Sequence, residues 1–237
     1  MDINYLSDSI FIENEQLFFI NKNKKRKVTH YNWHTILNEI GWNKLNKYWI
    51  KILNRLSDKT IKNSRYGELD LGYDGNCFFN CIAYSMNTNI NNKDIYTSEK
   101  LRELIANSIS KIKFQEIILI YQILYDNNEM YESWNPYTIN YNEFKERIKD
   151  NSFWGDDFLI NELITLLNIN LIILNTDTVN NTFKLYNTLN NYNSDKNTII
   201  LNYIDNEHFR LIGYFENNLM ISFFKEIPYE IKRLIQM

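Results

Sequence analysis

Asp74-Gly75-Asn76-Cys77, followed at once by Phe78-Phe79-Asn80-Cys81-Ile82-Ala83-Tyr84, is the stretch whose reading decides the fold. Gly75 and Asn76 tolerate the dihedrals of a tight turn, and the apolar run behind them predicts a buried helix over about 77–87. The turn therefore delivers Cys77 to the first turn of a helix. There the exposed N–H groups and the positive end of the macrodipole favour a thiolate, the nucleophilic form of cysteine. Far downstream, Asn206-Glu207-His208-Phe209-Arg210-Leu211-Ile212-Gly213 carries a histidine where a short polar loop enters an apolar strand.

Working outward from the cysteine helix, the N-terminal side reads as two short strands within residues 3–20, ending in Leu17-Phe18-Phe19-Ile20. The basic run Asn21 to Lys27 is expected as a solvated turn between strands. Trp42, Leu45, Trp49, Ile52 and Leu56 recur at helical spacing and predict an amphipathic helix over 42–56. The polar segment Lys59 to Gly67 makes a boundary. After the cysteine helix comes an Asn-rich loop, Asn87 to Asp94, then a helix from Ser98 with Leu101, Ile105, Ile109 and Ile112 facing inward. A further apolar segment covers 114–125, and 126–142 reads as loop.

Phe153-Trp154-Gly155-Asp156-Asp157 opens another helix, with acids in its first turn and Leu159, Leu163 and Leu167 on one face. The period then changes. Ile169–Leu174, Phe183–Tyr186, Ile199–Tyr203 and Phe209–Phe215 read as strands separated by Asn-rich turns, and Pro228 opens a short helix through Leu234. Helices first and a clustered sheet last predict an α+β domain.

Composition narrows the function classes. A net charge of −3 gives no general pull toward nucleic acid or anionic membranes. Two cysteines in 237 residues exclude a disulfide framework and fit a reducing compartment. Met1-Asp2-Ile3-Asn4 lacks the basic start of a signal peptide, and the most apolar run, Phe114 to Tyr125, is broken by Gln115, Glu116 and Gln122. A soluble cytoplasmic protein is expected, in the host cytoplasm if the source is a virus or an intracellular bacterium. The abundance of asparagine, isoleucine, lysine and tyrosine is the imprint of an AT-rich genome.

Two chemistries compete for the cysteines. In the first, Cys77 is a nucleophile: an ordinary thiol titrates at ~8.5, and a helix N-terminus plus an imidazole lowers that. His208 would then carry the proton to the leaving amine, and backbone N–H groups of the preceding turn would face the oxyanion. In the second, His30-x3-His34 and Cys77-x3-Cys81 supply four ligands for a structural zinc in an interaction module. Against the metal, His34 lies between Trp33 and Ile36-Leu37 as a core or boundary residue would, and nothing local ties the two pairs together.

Nucleophile first and histidine far downstream is the chain order of papain-like cysteine proteases. Asp74-Gly75-Asn76-Cys77-Phe78-Phe79 resembles, more closely, the Asp-Gly-Asn-Cys-(Leu/Phe)-Phe motif of the ovarian-tumour (OTU) family of cysteine proteases. Leu101-Arg102-Glu103-Leu104-Ile105 is similar to that family's Leu-Arg helix. Phe153-Trp154-Gly155-Asp156-Asp157 with Leu159, Glu162 and Leu163 is similar to its Trp-Gly helix start, Leu171–Leu174 to the strand that follows, and His208-Phe209 to its His-aromatic pair. The resemblance covers about residues 67–215.

It implies a papain-like α+β fold of OTU type, with helices packed on a small, mostly antiparallel central sheet. The catalytic domain would span 63–216, between an N-terminal extension (1–62) and a C-terminal tail (217–237). The implied activity is removal of ubiquitin or a ubiquitin-like modifier from protein conjugates, without cofactor or metal and with no nucleic-acid or membrane partner. A catalytically weak OTU fold that only binds ubiquitin is the alternative.

Carried over, Cys77 is the nucleophile, His208 the general base, and the N–H groups of Asp74, Gly75, Asn76 and Cys77 form the oxyanion hole. Many members orient the histidine with Asp or Asn two residues later, where this chain has Arg210. A guanidinium cannot accept a hydrogen bond from an imidazole N–H. Other members use the Asp three residues before the cysteine, which here is Asp74. As the nearest acid in sequence it is expected in contact with His208, the alternative being that it acts through its turn while a backbone carbonyl or another acceptor holds the imidazole.

Overall fold

The computed structural model describes residues 3–57, 64–89, 95–130, 134–186 and 192–236. Most of the expected boundary at 59–67 and the end of the expected 87–94 loop, residues 90–94, lie outside the described residues. In chain order the elements are β1 (Ile3–Tyr5), β2 (Ile10–Glu13), β3 (Gln16–Asn21), β4 (Lys24–Lys27), α1 (Trp33–Ile36), β5 (Trp42–Lys44), α2 (Lys47–Leu56) and β6 (Tyr66–Leu69). Five helices follow: α3 (Cys77–Asn89), α4 (Ser98–Ser108), α5 (Lys111–Asp126), α6 (Tyr141–Lys149) and α7 (Asp157–Leu166). The chain ends with β7 (Asn170–Asp177), β8 (Thr182–Tyr186), β9 (Thr198–Ile204), β10 (His208–Glu216), β11 (Leu219–Ile221), β12 (Phe223–Phe224) and α8 (Tyr229–Ile235). Two compact units result, Met1–Leu71 with Ile169–Met237, and Gly72–Asn168. No described helix is long and apolar enough to cross a membrane.

The first unit is built on a sheet with strand order β5-β6-β10-β9-β7-β8, to which β11 adds on β10 and β12 on β9. Among the described strands only β7 and β9 pair in parallel, Leu171 opposite Ile199 through Thr176 opposite Ile204. Both read as nearly unbroken apolar runs and are buried along most of their length, the pattern of strands covered on both faces. One face is filled by Leu45, Trp49 and Leu53 with Ile172, Leu174, Ile200 and Ile212, closed at the end of the chain by Phe224, Ile227 and Ile231. Residues of both expected flanks, 1–62 and 217–237, thus contribute to this core, and β5, β11 and β12 extend its sheet.

The expected helix over 42–56 is divided. Trp42–Lys44 is strand, paired with β6 in the register Trp42 opposite Leu69. The helix begins only at Lys47, where the Asn46 carboxamide oxygen accepts the Tyr48 N–H at 2.9 Å. Trp42 and Leu45 fit a helical period, but a partner strand and an N-cap in the middle of the segment override it.

The basic run is also more ordered than expected. Only Lys22 and Asn23 form the turn, both at positive φ, and Lys24–Lys27 make an exposed edge strand in the sheet β1-β2-β3-β4. Lysines along an edge discourage pairing with other chains. The same device, two left-handed residues joining a hairpin, recurs at Asn14-Glu15 and Asn217-Asn218. Part of the asparagine content thus has a structural use.

In the second unit α4 packs against α3, α6 and α7. Leu101, Ile105 and Ile109 are buried as expected, but Ile112 is 72% exposed. Ser110 explains the difference, because its hydroxyl accepts the Lys113 N–H at 3.1 Å and caps a new helix, α5, before Ile112. Helix α6, absent from the sequence reading, starts with a reciprocal cap. The Asn140 side chain accepts the N–H groups of Asn142 and Glu143, and the Glu143 carboxylate accepts that of Asn140. Its Phe144 joins Tyr121, Trp134 and Phe153 in an aromatic cluster.

Candidate active site

Cys77 is the first residue of α3, and the turn before it is held by unusual means. Gly75 sits at φ +79, and a Cβ there would lie 2.0 Å from the Asn151 carbonyl oxygen, so no other residue fits without moving backbone. The Asp74 carboxylate accepts the Asn76 N–H at 3.2 Å, closing an Asx turn, and the Asn76 carbonyl accepts the Asn80 N–H at 2.7 Å to start the helix.

Arg102, 1% exposed, braces this turn from α4. Its Nε donates to Asn76 Oδ1 (2.8 Å) and Nη2 to the Gly75 carbonyl (3.0 Å). Nη1 donates to the carbonyls of Ile148 (3.0 Å) and Phe153 (2.8 Å). The guanidinium lies over the Phe79 ring, 4.1 Å from its centroid. The resemblance noted the Leu101-Arg102 pair, but not this bond set, which joins three segments far apart in sequence.

Behind the turn, a Cβ on Gly155 would press on Phe78 at 3.0 Å, so the Trp-Gly pair allows close approach to the cysteine helix. Asp156 caps α7 through the Leu159 N–H (2.9 Å) and accepts the Tyr121 hydroxyl. Burial pushes its carboxyl up to about 6, against those hydrogen bonds, which lower it. Cys81, one turn further along α3, is fully buried.

His208, buried at the start of β10, belongs to the first unit. Its Nε2 lies 3.1 Å from Oδ1 of Asp70, the residue just after β6. Asp70 therefore stands where the sequence reading puts Asp74, whose own carboxylate is engaged in its turn. Burial lowers the His208 pKa, the Asp70 carboxylate raises it in part, and the Arg210 guanidinium lowers it again. The net shift is downward, which favours the neutral imidazole. Glu68-Leu69-Asp70 places two acids on one face of a strand, a signal visible in the sequence. That this strand pairs with the one carrying His208 is not visible there.

Among the described residues no three His, Cys, Asp or Glu side chains are grouped to hold a metal ion. His30 lies against the Tyr31 ring at a tilt, and His34 lies edge-on to Trp33.

Residues 73–209 match the family described as OTU-like cysteine protease, a span running from the Asx turn before Cys77 through His208. The chain belongs to that family. Among solved structures it is similar to the OTU domain of OTUD1, at 13% identity over 62% of this chain and 85% of that one, TM-score 0.42. It is also similar to an OTU deubiquitinase from Wolbachia pipientis wMel, at 17% identity over 71% of this chain and 95% of that one, TM-score 0.42. A third likeness is to the Hazara virus OTU bound to ubiquitin, at 14% identity over 66% of this chain and 82% of that one, TM-score 0.39. No curated protein matches the chain.

Proposed function

We propose that the protein is a cysteine-type deubiquitinase, cleaving the isopeptide bond after the C-terminal glycine of ubiquitin or a ubiquitin-like modifier, in the cytoplasm where its thiols stay reduced. We assign the catalytic segment to 63–216, Cys77 as nucleophile, His208 as general base and Asp70, rather than Asp74, as the acceptor that orients the imidazole. One observation carries the reading: the family match contains both the cysteine at a helix start and the buried histidine.

The steps follow from those groups. Nδ1 of His208 takes the Cys77 thiol proton while Nε2–H stays on Asp70, and the sulfur adds to the glycine carbonyl. The N–H of Cys77, at the positive end of α3, and those of the turn Asp74–Asn76 stabilise the oxyanion. The Asn76 N–H takes part only by leaving the Asp74 carboxylate. Collapse breaks the C–N bond as the imidazolium protonates the lysine amine, leaving a thioester. Water, losing a proton to His208, then adds to the thioester, and loss of the thiolate frees the modifier.

A ubiquitin carrying a C-terminal thiol-reactive warhead tests this. A covalent adduct is expected with the wild type and with Cys81→Ala, and none with Cys77→Ala. Adduct formation by Cys77→Ala would overturn the assignment. Non-covalent ubiquitin binding without any adduct would make the protein a binding module instead.

A further inference from the structure

Arg210 follows His208 by two residues on β10, so both side chains lie on one face of the sheet, and Glu68 and Asp70 share that face on the β6 side. The two strands pair antiparallel with Leu211 opposite Leu69. One step further sets Arg210 opposite Asp70, with His208 and Glu68 on the diagonals. The contacts follow this register. Arg210 Nε lies 3.3 Å from Asp70 Oδ2, and Nη1 lies 3.3 Å from Glu68 Oε1. The other Asp70 oxygen is the one at His208 Nε2.

The series continues across the sheet. Asn202, opposite Arg210 on β9, donates from Nδ2 to Glu68 Oε2 at 3.3 Å. Thr176 on β7 donates from Oγ1 to Asn202 Oδ1 at 2.7 Å, and Trp49 on α2 donates from Nε1 to Thr176 Oγ1 at 2.8 Å. Trp49, Thr176 and Asn202 are all within 1% of full burial, so water does not compete for these bonds. With Glu68 fixed from behind, its remaining oxygen anchors Arg210.

We propose that Arg210 is a positioning residue for His208: by bridging Glu68 and Asp70 it clamps the Asp70 carboxylate against Nε2 and keeps the neutral imidazole in its Nε2–H form. The inference rests on the reading of His208 as the base. The physical need is plain. Asp70 has a side chain 32% exposed, and water competes for the contacts of a partly exposed carboxylate. A carboxylate only accepts, so wherever Asp70 is held the neutral ring must carry its proton on Nε2, leaving Nδ1 as the basic nitrogen. The planar guanidinium spans two carboxylates in a fixed fork, which an ammonium point charge does not. Arg210 thus replaces the acceptor other members carry at this place by acting on one from a neighbouring strand. Trp49, Glu68 and Asp70 all lie outside the family match at 73–209.

The test uses the full chain with 15N-labelled histidine, whose three imidazoles include His208, assigned through His208→Gln. At mildly alkaline pH the wild-type ring is expected in the Nε2–H form, and Arg210→Met in a mixture of both tautomers. On a fluorogenic ubiquitin C-terminal amide, Arg210→Met is expected to lower kcat between about 10- and 100-fold with KM within about twofold, the loss typical of a misplaced group. Arg210→Lys should fall between, and Glu68→Gln, which keeps an acceptor, should lose a few-fold. If Arg210→Met does not fold, Arg210→Lys and Glu68→Gln carry the same two readouts.

An unchanged tautomer in folded variants overturns the proposal, as does a rise in KM at constant kcat, which would make Arg210 a substrate contact. A wild type without hydrolysis would count against the function, while the tautomer still decides the clamp.

Discussion

Replacing Arg102 by methionine keeps most of the aliphatic volume of a residue packed on Phe79 and removes four hydrogen bonds, to Asn76, Gly75, Ile148 and Phe153. A buried acceptor stripped of its donor costs about 1–3 kcal/mol, so four independent losses would reach about 4–12 kcal/mol. The true cost is smaller. The four acceptors share one donor group and relax together, and the variant no longer has to bury a cation. We expect a loss of about 3–5 kcal/mol, a large fraction of the 5–15 kcal/mol typical of a folded domain. Urea unfolding followed by circular dichroism reads it as a lower midpoint.

The site should suffer more than the fold, because two of the four acceptors belong to the turn before Cys77. At urea concentrations where the variant is still folded, warhead labelling of Cys77 should be at least tenfold slower than in the wild type. Arg102→Lys should recover little, since one ammonium cannot reach acceptors spread around a planar fork. A stability loss under about 1 kcal/mol with labelling unchanged would refute the reasoning, showing that the turn holds without its brace.

Gly75→Ala should abolish labelling while leaving helical content intact, because the added Cβ meets the Asn151 carbonyl at 2.0 Å; normal labelling kinetics would contradict the turn geometry. Asp70→Ala should reduce kcat by about 100-fold, whereas Asp74→Asn, which keeps an oxygen for the Asn76 N–H, should stay within about threefold of wild type; the reverse order would return the orienting role to Asp74. Asp156, raised above its ordinary value, contributes stability that is present below its unfolded pKa near 3.8 and is lost as pH rises through about 6. Between pH ~4 and ~7 the wild type should therefore lose about 3 kcal/mol relative to Asp156→Asn, whose amide oxygen still caps α7, and parallel pH–stability curves would count against a buried, raised carboxyl.

The parts of this protein that could be read without a structure are those specified over a few neighbouring residues. The cysteine helix follows from Gly75-Asn76 and the apolar run behind Cys77, and α8 follows from Pro228. The four late strands follow from β-rich segments bounded by asparagines that accept left-handed dihedrals. Where local signals conflict, the reading failed for a definable reason. Trp42 fits the helical period of α2 but pairs as a strand, and Ile112 fits the face of α4 but lies beyond the Ser110 cap. Helix α6 was legible in principle, since Asn140 and Glu143 have capping-box spacing, but its single turn of apolar pattern gave no strong period.

By itself, then, the sequence determined the α+β order of elements and the family, and it singled out Cys77 and His208 as candidates. The tertiary structure alone decided which carboxylate touches the histidine. Asp74 is nearest to the cysteine in the chain, and proximity in sequence made it the natural choice. Asp70 reaches His208 only because β6 and β10, more than a hundred residues apart, lie side by side in antiparallel register. Hydrogen bonding between strands depends on which edges meet after folding, and no local pattern of side chains encodes that pairing.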